Sequence, residues 1–434
     1  MSRHRAQPRR NSRGALASGE FQALLAAALL SIVGDQLTRV ALAVLVYRRT
    51  GSALLTAAIY SVSFLPWALG GPFLAGLADR FPRRTVMVAC DLGRMLLVLA
   101  LVLPLPVLPL CGLLFASELL ASPFHAARSA TLPEALAGDA YVQGLALTNI
   151  ALQAGQVIGF AVAGAIVAAL GPAPALVVDA GTFALSAALL RLGVPWRAPA
   201  NAGAAAGGSL LAGTRAGARL VFGSPALRGL VTLAWLCAFV VVPEGLAVPY
   251  AHALHRGPAA AGLLLAAHPL GFVLGSLLVT RLLPDRRLRL MGCLAVVSCL
   301  PLLGFAARPG LGVAVVLLVI SGLGSAYNLP ANAAFVGSVP KEHRGQAFGL
   351  VQSGIFVFQG VALLLAGVAT TAVSVPTVIA LAGGLGLGLA VWLAGTALRP
   401  GGEVLRQLAT DSATDSATDS PTDSPTDSAE SART

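Results

Sequence analysis

Twelve runs of apolar residues, most of them near twenty long and separated by short polar stretches, constrain this chain more than any other feature. A helix of that length rises about 30 Å at 1.5 Å per residue, the thickness of the hydrocarbon layer of a membrane. The runs lie at roughly 21–46, 53–77, 85–103, 107–127, 142–170, 174–193, 227–249, 259–282, 288–307, 311–335, 346–371 and 374–397. In hydrocarbon a backbone amide finds no water, so each run must satisfy its amides within itself, as a helix. The composition agrees: 56% of residues are hydrophobic and 11% charged, against about 25% charged in soluble domains. The expected fold class is therefore all-α integral membrane, with twelve transmembrane helices.

A net charge of +11 raises the question of nucleic acid. The arginines, however, lie in the connections between runs and in the N-terminal tail, where positive residues mark the cytoplasmic face of a membrane protein. With both termini inside, the cytoplasmic stretches hold 23 Arg and Lys residues and the outer stretches hold 4, namely Arg48, Arg49, Arg256 and Arg308. That asymmetry predicts both termini in the cytoplasm and no nucleic-acid partner. The first apolar run, of about 26 residues, is too long for a signal peptide, so the tail before it is expected to be retained. The five cysteines fall in or at the ends of apolar runs without CxxC spacing and read as packing residues, with no disulfide framework and no metal site.

The connection at 194–226 is the longest and is rich in Gly and Ala, and it divides the runs six and six. The halves share landmarks: Pro123 and Pro330 stand 207 residues apart, as do Thr131-Leu132-Pro133 and Ser338-Val339-Pro340, with Asp79-Arg80 and Asp285-Arg286 at 206. The expected organisation is a tail at 1–20, a six-helix half at 21–193, a cytoplasmic loop at 194–226, a second half at 227–397, and a tail at 398–434. From Thr410 that tail repeats Thr-Asp-Ser and lacks the apolar residues a core needs, so it is expected to be disordered.

Between the second and third runs lies a polar island, Gly76-Leu77-Ala78-Asp79-Arg80-Phe81-Pro82-Arg83-Arg84, followed by Asp91 and Arg94. Its charge pattern and position resemble the loop signature of the major facilitator superfamily. Ala75 stands where the family has its usual first glycine, and Pro82 where it has the second. Gly34-Asp35 with Arg39, Val46-Tyr47 with Thr50-Gly51-Ser52-Ala53, and Ala127-Arg128-Ser129-Ala130-Thr131-Leu132-Pro133 resemble the branch of macrolide-efflux proteins and enterobactin exporters. The run Gln153-Ala-Gly-Gln-Val-Ile-Gly-Phe-Ala-Val-Ala-Gly is similar to the glycine-rich fifth helix of the family's antiporters, with Phe160 in place of proline; Gly155, Gly159 and Gly164 would let that helix pack closely on a neighbour. The resemblance implies the major facilitator fold, a cavity between the halves lined mainly by helices 1, 4, 7 and 10, and alternating access by rocking of the halves.

Charges inside apolar runs cost roughly 2.5–3.5 kcal/mol at the bilayer centre and mark candidate sites. Asp35 lies about 21 Å along the first run and Glu118 about 16 Å from the outer end of the fourth, both near the midplane. Either is a candidate to carry a proton. Asp35 and Arg39, at i,i+4, share a face and could instead form a permanent ion pair, and Glu118 could pair with Arg39. Arg39, Glu244, Tyr327, Asn328 and Asn332 are candidates for the substrate cavity, the last two at i,i+4 on one face. Asp179, His125 and His268 read as structural. Asp79, Arg80, Arg83, Arg84, Asp91 and Arg94 form an expected cytoplasmic latch, in which Asp79 caps a neighbouring helix and the arginines pair with Asp91 or lipid phosphates.

No phosphate-binding, zinc-protease or nucleophile-elbow motif is present, so the chain reads as a transporter driven by an ion gradient, with no cofactor and no enzyme activity. The expected function is proton-coupled efflux of a small amphipathic compound, such as a drug, siderophore or secondary metabolite, across the plasma membrane by a monomer. Import of a nutrient by symport on the same fold is the alternative. A non-transporting receptor working through the Thr-Asp-Ser tail is a more distant one.

Overall fold

The computed structural model describes residues 15–67, 80–198, 218–340 and 344–396, without the side chains of 284 and 285. Within that range the helices are α1 (Gly19–Thr50), α2 (Ala53–Trp67), α3 (Arg83–Ala100), α4 (Val107–Ala135), α5 (Asp139–Leu170), α6 (Pro172–Gly193), α7 (Pro225–Ala253), α8 (Pro258–Thr280), α9 (Arg286–Ala307), α10 (Leu311–Ser338), α11 (Arg344–Ala369) and α12 (Val375–Gly395). Ten of them are long and apolar enough to cross a membrane. The described part of α2 is shorter, and α3 spans 18 residues but carries Arg83, Arg84, Asp91 and Arg94. The expected twelve helices are thus all present. The first part of the polar island, through Asp79, the 199–217 stretch and the Thr-Asp-Ser tail lie outside the described residues.

Local chemistry sets the helix ends and breaks. The Ser18 and Ser52 hydroxyls cap α1 and α2 by accepting from the amides of Phe21 and Leu55 at 3.3 and 3.2 Å. Gly51 closes α1 in the left-handed conformation, φ 63°, which a glycine adopts without strain. Prolines interrupt the second half. α7 breaks around Val241, just before Pro243, and α9 finishes as a 3-10 helix from Leu300, beside Pro301. α10 narrows to a 3-10 turn at Ser325–Tyr327, where Pro330 removes an amide donor and crowds the preceding turn. α4 runs on to Ala135, longer than the apolar run suggested, so Arg128 and Thr131-Leu132-Pro133 are helical and not in a loop.

The two halves repeat one arrangement. α3 packs on α4 and α6, and α9 packs on α10 and α12. One end of the bundle carries Arg83, Arg84, Arg191, Arg281, Arg287 and Arg344; the other carries only Arg48, Arg49, Arg256 and Arg308 among the described arginines. The halves meet near the arginine-poor end. α5 crosses α8 there so closely that a methyl group added at Gly164 would lie 2.7 Å from the Cα of Gly262. α2 meets α11 through the Ser61 hydroxyl, which donates to the Gly360 carbonyl at 2.8 Å, and Tyr47 stacks edge-on against His252 at 5.2 Å. Toward the arginine-rich end the described ion pairs stay within one half, as with Arg83 and Glu134 at 2.5 Å.

Candidate functional site

α1 presents a polar face, Ser31, Asp35, Thr38 and Arg39, to the interior of the first half, and three helices answer it. Arg94 of α3 is fully buried; it donates to Asp35 in an ion pair, donates to the Ser31 hydroxyl at 3.0 Å, and lies over the Phe183 ring at 4.3 Å. One turn earlier, buried Asp91 accepts from the Ser186 hydroxyl of α6 at 2.6 Å. Buried Asp179 of α6 accepts from Thr38 and, at 3.2 Å, from Thr182. Arg39 turns the other way, to Glu118 of α4, with its Nη2 at 3.3 Å and its Nε at 3.4 Å from one carboxylate oxygen. The second oxygen of Glu118 accepts from the Trp67 indole at 3.2 Å, and Phe64 lies under the Arg39 guanidinium.

This geometry corrects several expectations. Asp35 pairs with Arg94 and not with Arg39, because Arg94 enters from α3 on the side of α1 that Asp35 faces. Asp91 and Arg94 belong to the interior of the first half and not to a surface latch: both are buried, within α3. Arg83 and Arg84 do not reach Asp91. Arg83 donates to the Ala130 carbonyl at 2.7 Å and pairs with Glu134, while Arg84 donates to the Val194 carbonyl at 3.2 Å. They tie the start of α3 to α4 and to the end of α6. Arg80 is exposed, and Asp79 lies outside the described residues. Tyr327 is fully buried in the second half, its hydroxyl has no hydrogen-bond partner among the described residues, and it lines neither of the cavities described below.

A cavity of about 220 Å³ lies between the halves. Its walls come from α5 (Gln153, Gln156), α7 (Val240, Val241, Glu244), α8 (His268, Pro269, Phe272), α10 (Ser325, Asn328) and α11 (Gln359). Glu244 follows the Pro243 break in α7, which turns its carboxylate toward the first half. There it accepts from the Tyr60 hydroxyl of α2 at 3.2 Å, with no ion pair among the described residues. His268 is within hydrogen-bond reach of the Ser325 hydroxyl at 3.1 Å. Asn328 donates to the Ser325 carbonyl and also borders a second cavity of about 240 Å³ within the second half, which Asn332, Phe335, Phe348 and Gln352 share. The site therefore offers one carboxylate, one imidazole, four amides and the Ser325 hydroxyl beside the apolar Val240, Val241, Pro269 and Phe272. That chemistry suits a guest with an apolar body and a few polar groups. Among the described residues no three His, Cys, Asp or Glu side chains stand close enough to hold a metal ion.

His268, Gln153, Gln156 and Gln359 were missed as wall residues. Their signal was present: amide and imidazole side chains inside apolar runs, where each needs a polar neighbour. The helix-5 glycines divide their contacts. Gly155 lies against Leu29 and Ile32 and Gly159 against Val33 and Gln36, all on α1, whereas Gly164 meets Gly262 of the other half.

Both six-helix halves match the sequence model of one family. The model of the Major Facilitator Superfamily covers residues 24–244 and 244–417. The chain belongs to that superfamily. Among curated proteins it is 27% identical over 377 residues to the multidrug efflux pump Tap of Mycolicibacterium fortuitum, covering 80% of this chain and 88% of Tap. It is 32% identical over 169 residues to the uncharacterized MFS-type transporter YfiS of Bacillus subtilis (strain 168), a match spanning 38% of this chain and 40% of YfiS. Macrolide efflux protein A of Streptococcus pyogenes matches over 111 residues at 28% identity, or 24% of this chain and 27% of that protein. The nucleoside transporter NupG has the same fold, with a TM-score of 0.71 at 12% identity over 87% of this chain and 98% of its own. So does a bacterial homologue of the lysosomal transporter Spinster in an inward-facing, unoccupied conformation, with a TM-score of 0.62 at 15% identity over 91% of this chain and 96% of its own. The protein is a multi-pass membrane transporter of this superfamily.

Proposed function

We propose that the protein exports small amphipathic compounds across the plasma membrane by alternating access, and that protons drive it. The observation that carries this reading is Glu244, a carboxylate on the wall between the halves, held by a tyrosine of the opposite half and in no ion pair among the described residues. Asp35 and Glu118, the carriers expected from the sequence, are each engaged by an arginine. Glu244 is therefore assigned the exchange step.

The physical basis is the cost of an unpaired charge in a closing site. When the halves rock, the cavity passes through a state shut to water, and a lone carboxylate there costs several kcal/mol. A proton removes that charge, and a cationic group of a guest balances it. Crossing is therefore favoured with one or the other bound, and exchanging them couples outward movement of the guest to inward movement of a proton. The positive-inside asymmetry supports a cytoplasmic arginine-rich end, and the halves meet toward the opposite end, which supports access to the central cavity from the cytoplasm. Export is the direction supported by the relatives named as efflux proteins.

Everted vesicles with an acidic lumen, given a cationic amphipathic dye in the medium, test this. Proton-driven accumulation is expected to fall at least tenfold, about 1.4 kcal/mol, in Glu244→Gln, while dye binding in detergent persists. If Glu118→Gln or Asp35→Asn abolishes coupling and Glu244→Gln does not, the assignment moves to that residue. Accumulation only in right-side-out vesicles would make the protein an importer.

A further inference from the structure

The proposed transport cycle makes no use of a further cavity, at the arginine-rich end of the first half. It measures about 160 Å³ and lies between α1, α4 and α5, where Leu25, Arg128, Ser129, Tyr141, Leu145 and Asn149 contribute to its walls. Arg128 stands roughly 10 Å inside the end of α4 at 1.5 Å per residue. Its Nη1 atom is buried and has no hydrogen-bond partner among the described residues. Among the described acids near that end, Glu134 pairs with Arg83 at 2.5 Å and lies 3.7 Å from Arg197, and Glu20 pairs with Arg197 at 2.5 Å. Asp139 is exposed in the first turn of α5, where the helix dipole favours it. A guanidinium cannot shed its proton, so Arg128, with no ion pair among the described residues, stays a cation in the cavity wall.

The repeat shows that the fold does not need this charge. The second half has a cavity in the corresponding place, and its Phe335, Phe348, Gln352 and Ile355 stand 207 residues after Arg128, Tyr141, Leu145 and Thr148. One cavity is walled by two phenylalanines. The other puts an arginine and a tyrosine at those two positions, with Ser129 and Asn149 beside them. The shared backbone creates the space, and the side chains of the first half alone adapt it to an anion. Leu25 and Leu145 give it an apolar rim, and Val142, Leu145 and Ile150 lie exposed along the same part of α5. Basic pockets between membrane helices on the cytoplasmic side are suited to phosphate headgroups.

We propose that this cavity binds a phosphate group, from an anionic phospholipid headgroup or as free phosphate, on Arg128, with Ser129, Tyr141 and Asn149 as further donors. Asn149 is one helical turn from Gln153 of the central cavity, so the bound anion stands about one turn of α5 from that cavity's wall.

Native mass spectrometry of the purified full chain tests binding without any measure of transport. Phosphatidylglycerol is expected to be retained several-fold over phosphatidylcholine, and Arg128→Gln to lose that preference. Inorganic phosphate added in lipid-free detergent separates the sources. A rise in Tm for the wild type but not for Arg128→Gln assigns free phosphate, and a response to phosphatidylglycerol alone assigns the headgroup. If Arg128→Gln does not fold, the Ser129→Ala, Tyr141→Phe double variant takes its place, with the same preference expected to weaken several-fold. Equal retention and equal Tm response in variant and wild type overturn the proposal. Because no transport is read, a failure here leaves the role of Glu244 standing, and a failure of that role leaves this site standing.

Discussion

The two halves solve one packing problem with different chemistry. In the first, α1, α3, α4 and α6 are joined by buried charges and hydroxyls: Asp35 with Arg94, Arg39 with Glu118, Asp91 with Ser186, and Asp179 with Thr38. At the repeat positions 207 residues on, the second half has Val242 for Asp35, Leu246 for Arg39, Ser298 for Asp91, Pro301 for Arg94 and Ser325 for Glu118. It holds its helices by close approach of backbone to backbone, where crowded first-half glycines such as Gly34, Gly144 and Gly193 meet side chains. Methyl groups added at Gly271 or Gly275 of α8 would collide with the backbone of Val319 or Leu323 of α10, and one at Gly322 with the His268 carbonyl. Buried ion pairs and small-residue seams both bring membrane helices together, but they differ in what breaks them. The first half is sensitive to loss of a charge. The second is sensitive to added volume, and this leaves its wall free to carry amides and one unpaired carboxylate.

The largest expected effect tests the charged half. Arg94→Gln leaves Asp35 buried beside Asp91 and Asp179 with its cation gone, and removing one partner of a buried pair costs about 3–5 kcal/mol. Thermal unfolding in detergent should show a large fall in Tm. Asp35→Asn with Arg94→Gln should recover much of it, since no charge is then stranded. If the double variant is as unstable as the single, Arg94 holds the half by packing on Phe183 rather than by charge.

Added volume in the second half comes next. Gly271→Val drives a side chain into the α10 backbone, and overpacking of this kind costs typically 1–3 kcal/mol. Gly181→Val on α6 is the control, because nothing lies within 4 Å of a methyl group added there. A clear loss of stability in the first variant and none in the second is expected by the same unfolding measurement. Equal losses would mean that replacing a helix glycine, and not the close approach of α8 to α10, sets the loss, and the contrast would fail.

How much of this was legible beforehand follows from the range of each interaction. Apolar run length and arginine placement are local properties, so they give the helices and the expected orientation directly. A 207-residue offset marked by Pro123 and Pro330 is enough to pair the halves. Contacts between helices are different. Spacing puts Asp35 and Arg39 on one face of α1, but each finds a partner of opposite charge on another helix, 59 and 79 residues away, and helix spacing carries no information on that choice. Arg94 looked like part of the surface island because it follows Arg83 and Arg84 closely; two to three further helical turns are enough to take it into the interior. Tyr327 was grouped with Asn328 by adjacency, although neighbours on a helix point about 100° apart.

The smallest effect concerns the cavity wall, and it separates the residues that face a guest from those that only border solvent. Asn328 lines both the central cavity and the one beside it in the second half, whereas Asn332 borders only the latter and is exposed. Loss of one hydrogen bond to a guest costs about 0.5–1.5 kcal/mol. Asn328→Ala should therefore weaken binding of guests with polar groups by roughly tenfold at most, at 1.4 kcal/mol per factor of ten, and leave guests without them unaffected. Asn332→Ala should change neither. The readout is a binding isotherm for two dyes that differ in one hydrogen-bonding group, taken in detergent so that coupling does not enter. If Asn332→Ala discriminates between the dyes and Asn328→Ala does not, guests sit in the aromatic cavity of the second half alone, beyond the reach of Glu244, and the exchange step assigned to that carboxylate would have to act at a distance.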